Sequence, residues 1–151
     1  MDDKCPELNL ENQLCFPLYA ASRLTTKLYT PLLNELDLTY PQYLVLLTLW
    51  QHDNLSVKEI GKKLCLESNT LTPLIKRLAE KKIILKERSA NDERTVIISL
   101  TDKGKSLKTK AKNVPLKMSS IFSDLNLSAE EIVSFRDQLN DIVKELESRL
   151  S

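Results

Sequence analysis

Glycine stands at only two of 151 positions, 61 and 104, and this shortage limits the fold more than any other feature of the chain. Left-handed turns and close backbone approaches fall by default to glycine. A many-stranded sheet with tight hairpins, or a glycine-rich loop cradling a phosphate, is therefore not expected. The length suits one ordinary domain able to bury a sizeable core. Hydrophobic and charged fractions of 42% and 28% are those of a folded globular chain. No apolar run reaches the roughly 18 residues of a membrane span. The acidic, polar start lacks the basic and apolar stretches of a signal peptide, so a cytoplasmic location is expected. Three cysteines, at 5, 15 and 65, and a single histidine, His52, show no metal-ligand spacing, so no disulfide framework, zinc site or other cofactor is expected.

Leucines at 10, 14, 18, 28, 32 and 36 step like a helix face. Pro17 and Pro31 interrupt it, which predicts a helix from near Asn9, kinked or started at Pro17, and a further segment after Pro31. A second helix is predicted from Thr39 or Tyr40, with Pro41 at its first turn and Leu44, Leu47 and Trp50 along it. Ser56 and Glu59 form a capping-box pattern before a short helix facing Val57, Ile60 and Leu64 inward. After a turn at 66–68, another helix carries Leu71, Leu74, Ile75 and Leu78 up to Lys82. Two strand-like runs, 83–88 and 94–100, joined by the polar 89–93, read as a β-hairpin with a charged tip. Thr101 is a plausible N-cap for a basic helix reaching past Lys112, where Pro115 restricts continuation. Ser128 with Glu131 marks the last helix, and Leu127 with Ile132 occupies its staple positions. Ile132, Phe135, Leu139, Ile142, Leu146 and Leu150 then form a seam suited to packing along another helix.

The net charge is only +1, but its distribution is uneven: residues 56–112 hold fifteen Lys or Arg against seven Asp or Glu, and the rest holds seven against fourteen. A basic middle between acidic ends fits nucleic-acid binding, and equally a solvated helical surface. The order helix, turn, helix, hairpin tips the reading toward a winged helix-turn-helix, whose second helix enters the major groove of double-stranded DNA. Ser68, Asn69, Thr70 and Thr72 supply short donors and acceptors at the start of that helix, with Lys76 and Arg77 a turn later. Ser68 also suits simple helix capping. At the hairpin, Arg88 and Arg94 flank Asp92 and Glu93. Either an arginine held by a carboxylate projects into a narrow minor groove, or these are ordinary surface ion pairs.

Asp92-Glu93-Arg94, the strand 96–100 and Leu100-Thr101-Asp102-Lys103-Gly104 together resemble the wing and following helix start of the MarR family of bacterial regulators. The resemblance covers nearly the whole chain. It implies a mainly α winged helix-turn-helix fold with a small β-hairpin wing: a single domain over 1–151, with helical dimerisation elements at 1–38 and 113–151 and the DNA-binding part at 39–112. It also implies a homodimer on a pseudo-palindromic operator, Arg94 in the minor groove, and Asn69, Thr70, Thr72 and Lys76 facing the major groove.

Cys15 lies on the predicted first helix with Tyr19 one turn beyond. Alone, it reads as an ordinary buried cysteine or as a sensor. A thiol at its usual pKa of about 8.5 is only a few per cent thiolate at neutral pH and needs donors or positive charge beside it. The stretch 10–16, Tyr29, Thr39-Tyr40-Pro41-Gln42-Tyr43 and Thr70-Leu71-Thr72-Pro73-Leu74 are similar to the organic-hydroperoxide-sensing branch of the family. That likeness implies a cysteine at 15 hydrogen-bonded by tyrosines matching Tyr29 and Tyr40 of the partner subunit. It further implies oxidation by organic peroxide, followed by a mixed disulfide with a small thiol or by over-oxidation, and loss of DNA. Asn69 replaces a glycine frequent in relatives, and no resolving cysteine follows in the C-terminal helix, which favours a one-cysteine mechanism. Cys5 is assigned to a mobile N-terminus and Cys65 to packing on the apolar side of the helix-turn-helix. The rivals are a regulator gated by a small aromatic ligand, with Cys15 structural, and a thiol peroxidase, which lacks a second catalytic group.

Overall fold

The structure, a computed structural model, describes residues 5–151. Two single 3₁₀ turns, Pro6–Leu8 and Leu10–Asn12, lead into α1 (Cys15–Asn34), then α2 (Tyr40–Gln51), β1 (Leu55–Ser56), α3 (Val57–Leu64) and α4 (Ser68–Glu80). The hairpin strands β2 (Ile84–Arg88) and β3 (Val96–Leu100) follow, then α5 (Asp102–Ala111), α6 (Asn113–Ser123) and α7 (Ala129–Leu150). The sheet has the order β1-β3-β2, with antiparallel pairs Leu55–Ile98, Ile84–Leu100 and Arg88–Val96. This is the winged helix-turn-helix expected from the order of signals.

The helix starts obey their capping residues. Thr39 accepts a hydrogen bond from the Gln42 amide while the Gln42 side chain accepts one from the Thr39 amide, so the buried Gln42 is satisfied by the cap it completes. Ser56 with Glu59 and Ser128 with Glu131 close the same reciprocal pair, and Thr101 accepts from the Gly104 amide.

Of the prolines, Pro31 departs from expectation, while Pro17 stands at a helix start and Pro115 just beyond a helix end. α1 begins at Cys15, not near Asn9, and the leucine stepping straddles its start: Leu10 and Leu14 precede the helix. Asn12 Nδ2 donates to the Pro6 carbonyl at 2.7 Å and Gln13 Nε2 to the Glu7 carbonyl at 2.6 Å, fixing this lead-in. Pro17 falls in the first turn, where no amide hydrogen is needed. Pro31 does not divide the helix, which continues to Asn34; one exposed turn loses one hydrogen bond. The basic helix stops at Ala111, and α6 starts anew at Asn113 with Pro115 in its first turn, burying Val114 and Met118.

The core gathers Leu33, Leu46, Leu49, Ile60, Leu71, Leu78, Ile84 and Ile98, all under 2% exposed. Each such side chain contributes about 1.5–3 kcal/mol by leaving water. Trp50 Nε1 donates to the Gly104 carbonyl at 2.9 Å, pinning α5 to α2. A Cβ at residue 104 would lie 2.2 Å from the Ile83 carbonyl oxygen and 3.1 Å from Leu100 Cδ2. Gly104→Ala is therefore expected to cost about 2–3 kcal/mol as overpacking against backbone, read as a lower urea midpoint; an unchanged midpoint contradicts the close approach.

α7 buries none of its residues. Its seam, together with Leu14 and the first half of α1, leaves Leu14, Phe16, Leu18, Leu24, Phe135, Ile142, Leu146 and Leu150 between 41% and 88% exposed. Single exposed apolar residues are ordinary, but a run of them along two helices marks an interaction face.

Candidate nucleic-acid interface and thiol site

The turn between α3 and α4 is tight for identifiable reasons. Cys65 ends α3 in the left-handed region at φ 54°. The Leu66 amide returns to the Gly61 carbonyl at 2.9 Å, and a Cβ at residue 61 would sit 2.7 Å from the Leu66 oxygen. α4 then buries Leu71, Ile75 and Leu78. By the 100° rotation per residue, Asn69, Pro73, Lys76 and Arg77 lie opposite the buried residues, with Thr70 on one shoulder and Ser68 and Thr72 on the other, beside Ile75; all seven are exposed.

Ser68 is not the helix cap. Glu67 holds that position and makes no capping hydrogen bond, so α4 alone among α2 to α5 begins without a side-chain cap. Its first amides are left for another acceptor. Thr72 Oγ1 donates to the Ser68 carbonyl at 2.7 Å and Thr70 Oγ1 to Asn69 Oδ1 at 3.4 Å.

In the wing, the expected arginine–carboxylate pair is absent among the described residues. Asp92 braces the turn instead: Oδ1 accepts from the Arg94 amide and Oδ2 from Thr95 Oγ1, each at 3.0 Å. Arg88 Nη1 reaches only the Glu93 carbonyl, at 3.5 Å. The carboxylate is consumed by backbone and hydroxyl donors closer in sequence, so the exposed Arg94 guanidinium stays unpaired. Between wing and α4 runs a concave surface of 410 Å³ that Ser68, Thr72 and Arg94 help to line.

Cys15 is exposed at the first position of α1. Tyr19 is 61% exposed one turn on, its ring 5.4 Å beneath the Arg23 guanidinium. Tyr29 and Tyr40, by contrast, lie together with ring centroids 4.7 Å apart, and Tyr43 joins them at 6.1 and 6.4 Å. Burial pushes the phenol pKa of all three upward, keeping the hydroxyls as neutral donors at physiological pH. Tyr43 was not among the expected site residues, although its i,i+3 spacing from Tyr40 marks it as a neighbour on the same helix face. Cys15 and Tyr29 are fourteen residues apart on one helix, about 21 Å of rise, so the thiol does not reach the tyrosines of its own chain.

Cys65 is not packed on the apolar side as expected. It is exposed, and its Sγ donates to Glu147 Oε1 of α7 at 3.2 Å. That hydrogen bond, then burial, raise the thiol's pKa, so it stays protonated and a poor nucleophile. The left-handed C-cap geometry turned the side chain out toward α7, a contact across 82 residues that no local pattern reveals. Cys5 is exposed as well. Among the described residues there is no cluster able to hold a metal ion, and no helix is long and apolar enough to cross a membrane.

Residues 27–111 match the family described as transcriptional regulator SarA/Rot. The organic hydroperoxide resistance transcriptional regulator of Bacillus subtilis (strain 168) is 45% identical over 149 residues, covering 99% of each chain. AbfR, known from Staphylococcus epidermidis, has been solved in reduced form bound to DNA. It superposes with a TM-score of 0.72 at 38% identity, over 93% of this chain and 96% of that one. Its overoxidized form, also bound to DNA, superposes equally at 39% identity and the same coverage. Wild-type MarR of E. coli, in its apo form, shares the fold at a TM-score of 0.70 and 23% identity, over 86% of this chain and 96% of that one.

Proposed function

Since the chain belongs to the MarR family of winged-helix transcriptional regulators, in the branch of the organic hydroperoxide resistance regulator, we propose that it is a homodimeric, DNA-binding repressor that senses organic hydroperoxides through Cys15. The dimer forms through the apolar faces of α1 and α7, corresponding to elements at 1–38 and 113–151. The part at 39–112 meets a pseudo-palindromic duplex. The exposed α4 residues Ser68, Asn69, Thr70, Thr72, Pro73, Lys76 and Arg77 lie in the major groove; Arg94, on a turn braced by Asp92 and flanked by Arg88, enters the minor groove.

One observation carries the sensing half: two neutral tyrosines, packed together with their rings tilted at 47°, lie beyond the reach of their own chain's thiol. A second protomer running antiparallel along α1 brings Cys15 beside the partner's Tyr29 and the partner's Tyr40. Their hydroxyls then stabilise the thiolate by hydrogen bonding, with Tyr19 one turn away. The thiolate attacks the distal oxygen of the hydroperoxide, the O–O bond breaks, and an alcohol leaves with a proton from solvent. A small thiol then displaces water from the sulfenic acid to give a mixed disulfide, or a second hydroperoxide carries it to the sulfinic state. The mixed disulfide adds polar bulk between the protomers and shifts the spacing of the two α4 helices. The regulator reacts once per thiol, without turnover.

In a gel-shift assay on the DNA upstream of its own gene, the reduced protein is expected to retard the duplex. Cumene hydroperoxide with a small thiol is expected to release it. Release by a salicylate-like compound, with indifference to peroxide, would instead favour gating by a ligand seated against Tyr43, Leu47 and Trp50, which line a cavity of 360 Å³.

A further inference from the structure

The lysines of the winged part fall into two groups. Lys81 is tied to Asp37, Lys103 donates to the Lys81 carbonyl at 2.9 Å and Lys108 to the Trp50 carbonyl at 2.9 Å; these hold the fold. The other nine are exposed and make no ion pair or side-chain hydrogen bond among the described residues, and Lys58 and Lys86 are distinguished within this group by position. Both line the concave surface between α4 and the wing, with Ser56, Ser68, Thr72 and Thr95. Helix stability does not explain Lys58: it is the second residue of α3, where the helix dipole disfavours a positive charge. Lys86 stands on β2 opposite the buried Ile98, in a strand whose middle faces solvent.

The grooves of a duplex are separated by its sugar–phosphate backbone. A protein that puts α4 into the major groove and the wing tip into the neighbouring minor groove must therefore admit that backbone between the two elements. The concave surface is that gap, and the uncapped start of α4 opens onto it through Ser68. We propose that Lys58 and Lys86 form a clamp on the duplex backbone, one from each wall of the cleft, binding successive phosphates with the Ser68 and Thr72 side of α4 between them. The clamp rests on the DNA-binding reading above and adds its sequence-independent share: it fixes how deeply α4 enters, without reading bases.

Phosphate contacts are distinguished from base contacts by salt. The affinity of wild type, Lys58→Ala, Lys86→Ala and the double variant is measured by fluorescence anisotropy across a salt series, on a duplex from upstream of the gene and on a random duplex of equal length. Lys144→Ala on α7 serves as reference. Because each substitution removes one contact per protomer, each cleft variant of the dimer is expected to flatten the plot of log K against log salt by about 1.8, and the double variant by about 3.6. The loss should be equal on both duplexes, the melting temperature unchanged, and the reference slope that of wild type. If wild type binds with a steep slope and both cleft variants retain it, or if the loss falls on the specific duplex alone, the clamp is wrong while the DNA-binding reading stands. If wild type binds neither duplex, both fall together.

Discussion

Replacing Ile142 and Leu146 together by aspartate is expected to turn the protein into a monomer and to weaken operator binding by roughly 100-fold or more. The two side chains are 46% and 53% exposed in the single chain, on a helix that buries none of its residues. Within one protomer the substitutions therefore create no cavity and should leave the winged part folded. Between protomers they place carboxylates in an apolar seam, where each unpaired charge costs several kcal/mol. A dimer reading two half-sites converts its second contact into an intramolecular one; a monomer loses that gain while keeping every residue of α4 and the wing. Light scattering reports the mass and anisotropy the affinity. A variant that remains dimeric places the interface elsewhere, and a monomer that binds as tightly as wild type removes the need for two half-sites.

The second large effect concerns the thiol. Cys15→Ser should bind DNA within about twofold of wild type and show no release by organic hydroperoxide at concentrations that free the wild type completely, because a serine hydroxyl does not enter the sulfenic pathway. Cys65→Ser should keep the full response, since the thiol facing Glu147 is held protonated. Mass spectrometry after peroxide treatment should find the first oxidation on Cys15. Oxidation of Cys65 first, or release surviving in the serine variant, would move the sensor away from α1.

The parts of the fold visible in the sequence are those specified within three or four residues. Ser56 with Glu59 and Ser128 with Glu131 announce their helices because both halves of each capping pair lie in one turn. The hairpin shows through its polar tip, and α4 through leucine and isoleucine spacing. A proline's effect depends on position: Pro17 stands in a first turn, as a helix start there requires, whereas Pro31 is tolerated in an exposed last turn where a break was expected. β1 spans only two residues, too few for a periodic signal, and exists because β3 offers a free edge. The break between α5 and α6 was signalled by Pro115 but falls three residues earlier, at Lys112, so that α6 can bury Val114 and Met118. The wing illustrates competition among donors. Sequence placed Asp92 within reach of two arginines, but the Arg94 amide and Thr95 hydroxyl reach it at no cost in long-side-chain entropy. Cys65 failed for the opposite reason, its partner lying on the last helix. For the candidate site the residue types were legible; that thiol and phenols cannot meet in one chain became visible only with the length of α1.

That separation has a genetic consequence. When the two halves of a sensing centre belong to different polypeptides, a lesion in either half is not confined to the copy that carries it. An allele lacking the thiol and an allele lacking a phenol, each inert alone, rebuild one intact centre when their products associate. Two defective alleles then complement each other within a single gene, and whether one intact centre suffices decides which of them is dominant.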